Sequence, residues 1–397
     1  MLFRLRYVVF FSFFCLASWM GWGLYGYFFD AKKPMIVVTG LEDNNCYAAD
    51  ITCRLTMSKP GKLSIYLDEK PLVNAMNIHG KELEYSFIIP KTIANGSHTL
   101  AVNFIDNTFR RNKTKLNKHF IIDNTPLDVS FISGEKNYTV LQGRTLHIQF
   151  NVNKYIKLAQ VNALAGIYKC FPESRNSSIY ECFIPIDCEE IPNDYHFSVH
   201  VEDLVGNITQ LDSKFQIVAS PFKKQTIHVE TEKIKAEKAI GSPMANLEKA
   251  LQDLACTSVQ EKLWKGEFCT PIDVIRTTCD FGTVRTTQEK GRYIHKAVDI
   301  INNPKTVVWA TQDGIIALKE RYEVSGNTVV IDHGMGLVSL FFHLDDFSDI
   351  KVGEKIAKGN PIGTLGKTGY ATGYHLHWEM RMNNVAIDPF QWTQSTF

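Results

Sequence analysis

Read for apolar and polar positions, the chain shows three successive patterns. The first is an unbroken apolar run: from Tyr7 to Phe29 the sequence YVVFFSFFCLASWMGWGLYGYFF carries no charge over 23 residues. At 1.5 Å per residue, a helix of that length crosses a hydrocarbon core of about 30 Å. The second pattern fills residues 35–220. Short stretches rich in β-branched and aromatic residues alternate there with turn residues: MIVVTGL, KLSIYLD, YSFIIP, HTLAVNFID and KHFIID, then VSFISG, LHIQFNV, HFSVHVED and SKFQIVA. These read as strands. The third pattern follows Pro221. Lys223 to Lys238 is charged and poor in Gly and Pro. Asn246 to Leu263 places Leu247, Leu251, Leu254 and Ala255 at helix-compatible spacing, and from Trp264 onward glycines become frequent and strand patterns return.

The middle region repeats itself. Leu100, Val102, Phe104 and Asp106 align with Phe197, Val199, Val201 and Asp203 at an offset of 97 residues, and Phe120 and Ile122 with Phe215 and Ile217 at an offset of 95. Strand spacing and repeat length predict two immunoglobulin-like β-sandwiches of about 100 residues each. The stretch Val201 to Asn207 (VEDLVGN) resembles the Asp-x-x-Gly-Asn turn near the end of many bacterial immunoglobulin-like repeats. No catalytic constellation appears in this half, which reads as a spacer. The expected architecture is mainly β: an N-terminus at 1–6, a transmembrane signal anchor at 7–29, sandwiches at 35–123 and 126–220, a linker and helix at 221–262, and a mainly antiparallel-β domain at 263–397.

Composition narrows this picture. A chain of 397 residues predicts two to four domains, and 45% hydrophobic with 21% charged residues is a globular balance. A net charge of +1 offers no field to attract nucleic acid, so no nucleic-acid partner is expected. Arg4 and Arg6 ahead of the apolar run favour a cytoplasmic N-terminus, against a weaker opposing signal from Lys32 and Lys33. Trp19, Trp22, Tyr25 and Tyr27 suit the outer interface. A cleaved signal peptide would have a shorter apolar region ending in small residues. Here the run ends in aromatics, and Ser12-Phe13-Phe14 ahead of Cys15 is too bulky for lipoprotein processing, so an uncleaved anchor is expected. Of nine cysteines, eight follow the anchor. They suit disulfides in an exported body, Cys46 with Cys53 most readily, against a competing reading as buried thiols. None has paired CxxC spacing, which argues against a structural zinc knuckle.

Candidate chemistry gathers in the last domain. GRYIHKAVDI places His295 and Asp299 four apart, LVSLFFHLDD carries His343, and GYHLHWEM carries His375 and His377. Alternation after His375 predicts a strand, on which residues two apart share a face, so both imidazoles project into one site. Imidazole nitrogen and carboxylate oxygen are good donors for Zn2+. His295, Asp299 and His377 make a set of three that leaves a fourth position open, as catalytic zinc needs. His343 and His375 are the candidates to move protons and steady an oxyanion.

From Trp264 to Trp392 the chain resembles the lysostaphin/LytM type of zinc endopeptidase. WKGEFCTPI and CDFGTVR resemble that family's opening segment, and HKAVDI its His-x-Gly-x-Asp-(Ile/Leu). WATQDGIIA, GNTVVIDHGMGLVSLFFHL and VGEKIAKGNPIGTLGKTGYATGYHLHWEMR resemble later segments, and VAIDPFQW the Val-x-Asp-Pro ending. The resemblance implies zinc on His295, Asp299 and His377, and catalytic roles for His343 and His375. It also implies hydrolysis of peptide bonds in peptidoglycan cross-links or stem peptides. With the anchor, the expected place is the bacterial inner membrane, single-pass, with the catalytic domain in the periplasm or on the outside face. Three departures stand out: Ala297 where Gly is usual, Phe341 where Tyr is usual, and Phe342 where Ala is common. The rival reading is a non-catalytic wall-binding scaffold or activator of another hydrolase; cleavage of a non-wall protein is a third. No regulatory partner is identifiable. His333 reads as structural, Glu379 as a lesser candidate for general base, Arg381 as a possible contact for a substrate carboxylate, and Arg285 and Arg292 as solvated charges.

Overall fold

The computed structural model describes residues 15, 18–79, 83–132, 138–226, 244–287 and 291–394. The expected N-terminus at 1–6, most of the expected anchor before residue 18, and residues 227–243 of the linker lie outside the described residues. Residues 18–29 are helical, with Trp19 and Trp22 exposed to 75% and 82%. Among the described residues no helix is long and apolar enough to cross a membrane. The chain forms two compact units, one running to Leu127 together with Asp203–Asn207, the other comprising Asp128–Glu202 and Ile208–Phe397.

In the first unit two sheets share one core. Strands Ile36–Thr39, Ile51–Met57 and Glu84–Ile89 form one; the other has the order Asn45–Tyr47, Lys113–Ile122, Gly96–Asp106, Gly61–Leu67, Lys70–Ile78. Alternation does the sorting. In Ile51–Met57 every second residue is buried, and Cys53 and Leu55 meet Leu63, Ile65, Val102 and Phe104 of the opposite sheet. The sequence repeat reappears as topology in the second unit. Val129–Phe131, Thr145–Val152 and Ile179–Pro185 are neighbours in one sheet, with Phe171–Pro172 added at its edge. Tyr138–Leu141, Ile208–Val218, Asp194–Asp203, Ile156–Ala163 and Gly166–Lys169 follow in order in the other. Asp106 and Asp203 end equivalent strands and fix the next turn. Asp106 accepts from Thr108 and Asn112, and Asp203 from Val205 and Asn207. Cys53 is a thiol, so the expected Cys46–Cys53 bridge is not formed. Strand alternation sends its side chain into the core, where burial raises it to about 11.

The C-terminal sheet is ten-stranded, and the pairings that build it are antiparallel. Its central order is Arg276–Cys279, Val298–Ile301, Leu376–Met382, Leu337–Phe347, Gly326–Gly334, Gly314–Tyr322. The second sandwich is built into it. Ile179–Pro185 is buried on both faces: Cys182 and Ile184 alternate with Phe183, which packs on Phe171, Trp264 and Trp392. Asp388 N–H donates to Gly143 O at 2.7 Å, and the Gln391 amide exchanges two bonds with the Thr145 backbone at 2.7 and 2.9 Å. Glu181, with no exposed surface, accepts from Lys262 at 2.5 Å and lies 3.0 Å from His147. The helix Ala245–Thr257 covers another part of the sheet, burying Leu247 and Leu251 against Val330, Val338, Leu340 and Phe342.

Candidate metal centre

Three adjacent strands carry the centre. Asp299 on Val298–Ile301 is paired directly with His377 on Leu376–Met382, and with Cys279 on its other side. Directly paired residues on neighbouring strands share a face. Along Leu376–Met382, Leu376, Trp378 and Met380 enter the core, so His377, Glu379 and Arg381 share the other face. His295 ends a different strand, Gly291–His295, and the short Lys296–Ala297 link turns the chain into the strand bearing Asp299. The four-residue spacing is therefore a strand-to-strand turn. His375 lies one residue before its strand, not on it as alternation predicted, yet its Nε2 still comes within 4.0 Å of Asp299 Oδ1.

His343 arrives by a different route. Phe341 and Leu344 both point into the main core, and Phe342 points to the opposite face. Plain alternation would put His343 beside Phe341. The ladder to Gly326–Gly334 instead slips between Asn327↔Leu344 and Val329↔Phe341, leaving two residues opposite Thr328. His343 is the extra residue, with φ of 64°. The left-handed conformation costs a non-glycine residue about 1–2 kcal/mol, and such strain gathers at functional sites. The bulge re-aims the imidazole, whose ring centre lies 4.8 Å from that of His375 and 6.0 Å from that of His377.

The polar atoms converge. His295 Nε2 lies 3.1 Å and His377 Nδ1 3.0 Å from Asp299 Oδ1. His295 Nε2 is buried without a hydrogen-bond partner. Tetrahedral zinc with bonds of about 2.0–2.2 Å spaces its ligands about 3.3–3.5 Å apart, so the two imidazole-to-Asp299 separations lie within a few tenths of an ångström of that spacing. Electrostatics agree. Burial alone would raise Asp299, but the His295 and His377 imidazoles against its Oδ1 hold it well below the usual carboxylate range. Burial lowers His295. For His377 burial is outweighed by Asp299 and Glu379, which raise it to about 9. The positive charge they hold on this ring is one a divalent cation would replace.

His343 and His375 flank the donors. A carbonyl can only accept, so His343 Nδ1 donates to Thr368 O at 2.8 Å and His375 Nδ1 to Gly373 O at 3.0 Å. Each keeps Nε2 as its second nitrogen. Burial first, then the neighbouring histidines, lower His343 to about 4, so its ring is neutral at pH 7.

Several readings of single residues change here. Arg285 is not a solvated charge: it is 19% exposed, with Nη1 3.2 Å from His295 Nδ1 and Nη2 3.4 Å from Asp299 Oδ2. Arg292 is solvent-facing and pairs with Glu189 at 3.4 Å. Arg381 is held by Glu379, Glu248 and Asn384, and Glu379 is buried, which removes both from substrate contact. His333 is fully buried, donating from Nδ1 to Asp313 O and meeting Ser339 Oγ at Nε2, both at 2.8 Å. Phe341 faces the core, so a phenol there would point away from the centre. Ala297 is buried and is not among the positive-φ residues, so its methyl group is no obstacle. Cys279 was missed as part of the centre. Its sulfur lies within 4.8 Å of the His295 and Asp299 donors, and burial raises its thiol. Only the strand register could have revealed it.

Residues 293–389 match the family model described as Peptidase family M23. The chain is 32% identical over 120 residues to peptidoglycan DD-endopeptidase ShyC of Vibrio cholerae, covering 30% of this chain and 28% of that protein. It is 38% identical over 96 residues to DD-carboxypeptidase/endopeptidase Mpg of Neisseria gonorrhoeae, covering 24% and 22%. Among solved structures, a putative peptidase M23 from Pseudomonas aeruginosa aligns over 64% of this chain and 94% of its own, with 19% identity and a TM-score of 0.45. The chain thus spans less than a third of the length of these two curated relatives.

Proposed function

We propose, from the premise that residues 293–389 are a peptidase family M23 domain, that the chain is a zinc-dependent endopeptidase cutting peptide bonds of peptidoglycan cross-links or stem peptides. The observation that carries the reading is that His295 Nε2 and His377 Nδ1 each lie about 3 Å from Asp299 Oδ1, with His343 and His375 beside them. Zinc on those three residues supplies a Lewis acid that polarises a carbonyl and lowers the pKa of water from about 15.7 towards about 7. His343 and His375, each donating from Nδ1 to a backbone carbonyl, hold Nε2 ready to take a proton. A ring that has taken one becomes a cationic donor, able to steady a developing oxyanion and return the proton to the leaving amine. Arg285 Nη2 orients Asp299 through Oδ2, leaving Oδ1 to the ion.

The wall as substrate is supported by the names of the relatives, two of which denote peptidases of peptidoglycan or D,D-bonds. Anchoring by residues 7–29 in the bacterial inner membrane, with the peptidase in the periplasm or outside, belongs to the same proposal. So does the immunoglobulin-like reading of the two sandwiches. The second of them shares a core with the peptidase sheet, which favours a fixed platform over a free spacer.

The test is release of soluble muropeptides from sacculi by the full chain, wild type beside His377→Ala, with zinc measured on both. Release and zinc lost together support the reading. Wild type that binds zinc and releases nothing replaces it with the scaffold reading.

A further inference from the structure

Behind the candidate centre, two lines of contact run from the helix Ala245–Thr257 to His377. The polar line starts at Glu248 in the first helical turn. Its two carboxylate oxygens accept from Arg381 Nη1 and Nη2 at 2.8 and 2.9 Å, a bidentate pair that fixes the guanidinium plane. Arg381 turns its Nε to Glu379 Oε1 at 2.5 Å. The other oxygen of Glu379 stands 3.8 Å from His377 Nε2, the ring nitrogen opposite the one at Asp299. The apolar line runs through Leu247 and Leu251, which pack in one cluster with Leu340 and Phe342. The Phe342 ring lies flat on His377, centres 4.9 Å apart and planes 5° apart.

We propose that Glu379, Arg381 and Glu248 are positioning residues for His377, and that docking of the helix Ala245–Thr257 sets the orientation of this imidazole and the zinc affinity of the centre. The inference rests on the zinc reading above. If His377 binds the ion through Nδ1, its proton sits on Nε2, and the Glu379 carboxylate 3.8 Å away, beyond hydrogen-bond length, favours that tautomer through its charge. Glu379 is buried, so its charge needs a partner, which Arg381 supplies. Arg381 reaches three acceptors with one planar fork, and Glu248 takes both of its outer nitrogens. The ring's flat face has no freedom either, because Phe342 is wedged between it and the helix. Among the described residues, Glu379 meets the centre at His377, and Phe342 lies flat on His377 while its edge contact to His343 is longer, at 6.4 Å between ring centres.

The experiment measures, on the full chain, the zinc dissociation constant by competition with a chromogenic chelator and the unfolding temperature of the metal-free protein. Variants are Glu379→Gln, Glu248→Gln, His377→Ala and the exchange E248R with R381E. Glu379→Gln is expected to weaken zinc about 10–100-fold, the range for an outer-sphere partner of a metal ligand. Glu248→Gln, one step farther out and half exposed, is expected to weaken it about 3–10-fold with little change in the metal-free unfolding temperature. The exchange restores a helix-to-strand ion pair but sets a second carboxylate beside Glu379, and its zinc affinity is expected to fall below that of Glu248→Gln. Wild-type affinity in Glu379→Gln and Glu248→Gln, with zinc lost in His377→Ala, overturns this inference alone. So does a loss that simply follows the metal-free unfolding temperature. Zinc uptake that is the same in wild type and His377→Ala overturns the zinc reading and this inference with it.

Discussion

Replacing Phe183 by Ala tests whether the second sandwich and the peptidase sheet are one folding unit. The ring is 2% exposed and lies 5.5–5.8 Å, centre to centre, from Phe171, Trp264 and Trp392. Those partners come from both sides of the junction: Phe171 from the sandwich, the two tryptophans from the peptidase domain. Truncating a buried Phe costs about 3–5 kcal/mol, because the lost transfer energy is joined by that of an unfilled cavity. Against a total stability of about 5–15 kcal/mol this is a large fraction. With a urea slope near 3 kcal/mol/M the midpoint should fall by about 1–2 M. Hydrogen exchange at increasing urea, read by mass spectrometry, separates the two sides. Peptides from Thr145–Val152 report on the sandwich and peptides from Leu376–Met382 on the peptidase sheet. Both should lose protection at one lowered urea concentration. Two separate steps, with only the sandwich peptides shifted, would refute the shared unit.

Gly326→Ala should impair catalysis while sparing zinc: the residue has φ of +67°, and a Cβ there would stand 2.4 Å from Thr368 O, the acceptor that holds His343. Turnover should drop at least tenfold with zinc content unchanged; loss of the metal would contradict the reasoning. His333→Ala should lower the unfolding temperature and leave zinc content at wild type, because that ring serves Asp313 O and Ser339 inside the fold. Glu181 predicts an acid-side loss of stability. Burial raises it, but hydrogen bonds from His147 and Lys262 leave it below the usual value. A depressed carboxylate contributes stability above its unfolded value of about 4.3, and loses it as pH falls through the lower folded value. The urea midpoint should therefore fall below pH 4 in wild type, and less steeply in Glu181→Gln. Equal slopes would count against the assignment.

The candidate donors could be picked out because chemistry restricts them: few residue types hold zinc, and the alternation after His375 named the strand that carries His377. The repeat at an offset of 97 was legible for a similar reason, since Leu100 to Asp106 and Phe197 to Asp203 obey the same alternation and end on the same turn-fixing aspartate. Other features had no local signature. Arg285 and Cys279 reach the centre only through strand register, which joins positions 14 and 20 residues from Asp299. The merger of sandwich and peptidase sheet was hidden because nothing in Ile179–Pro185 itself says that Phe183 packs on Trp264 and Trp392, about 80 and 210 residues on. Phe341 and Phe342 both depart from the pattern of the family the chain resembles, yet adjacent residues on a strand face opposite ways, and Phe342 is the one that touches His377.

The bulge at His343 makes membership of the reactive group a question of parity. A strand counts odd and even, and one surplus residue changes the count for everything beyond it. Leu344 thereby returns to the core, while the histidine turns towards His375 and His377. With no surplus residue after Phe342, plain alternation would carry the imidazole inward, to the side of Phe341. The place of one candidate group, His343, is therefore set by a count on a single strand, whereas His375 reaches the centre from another part of the chain.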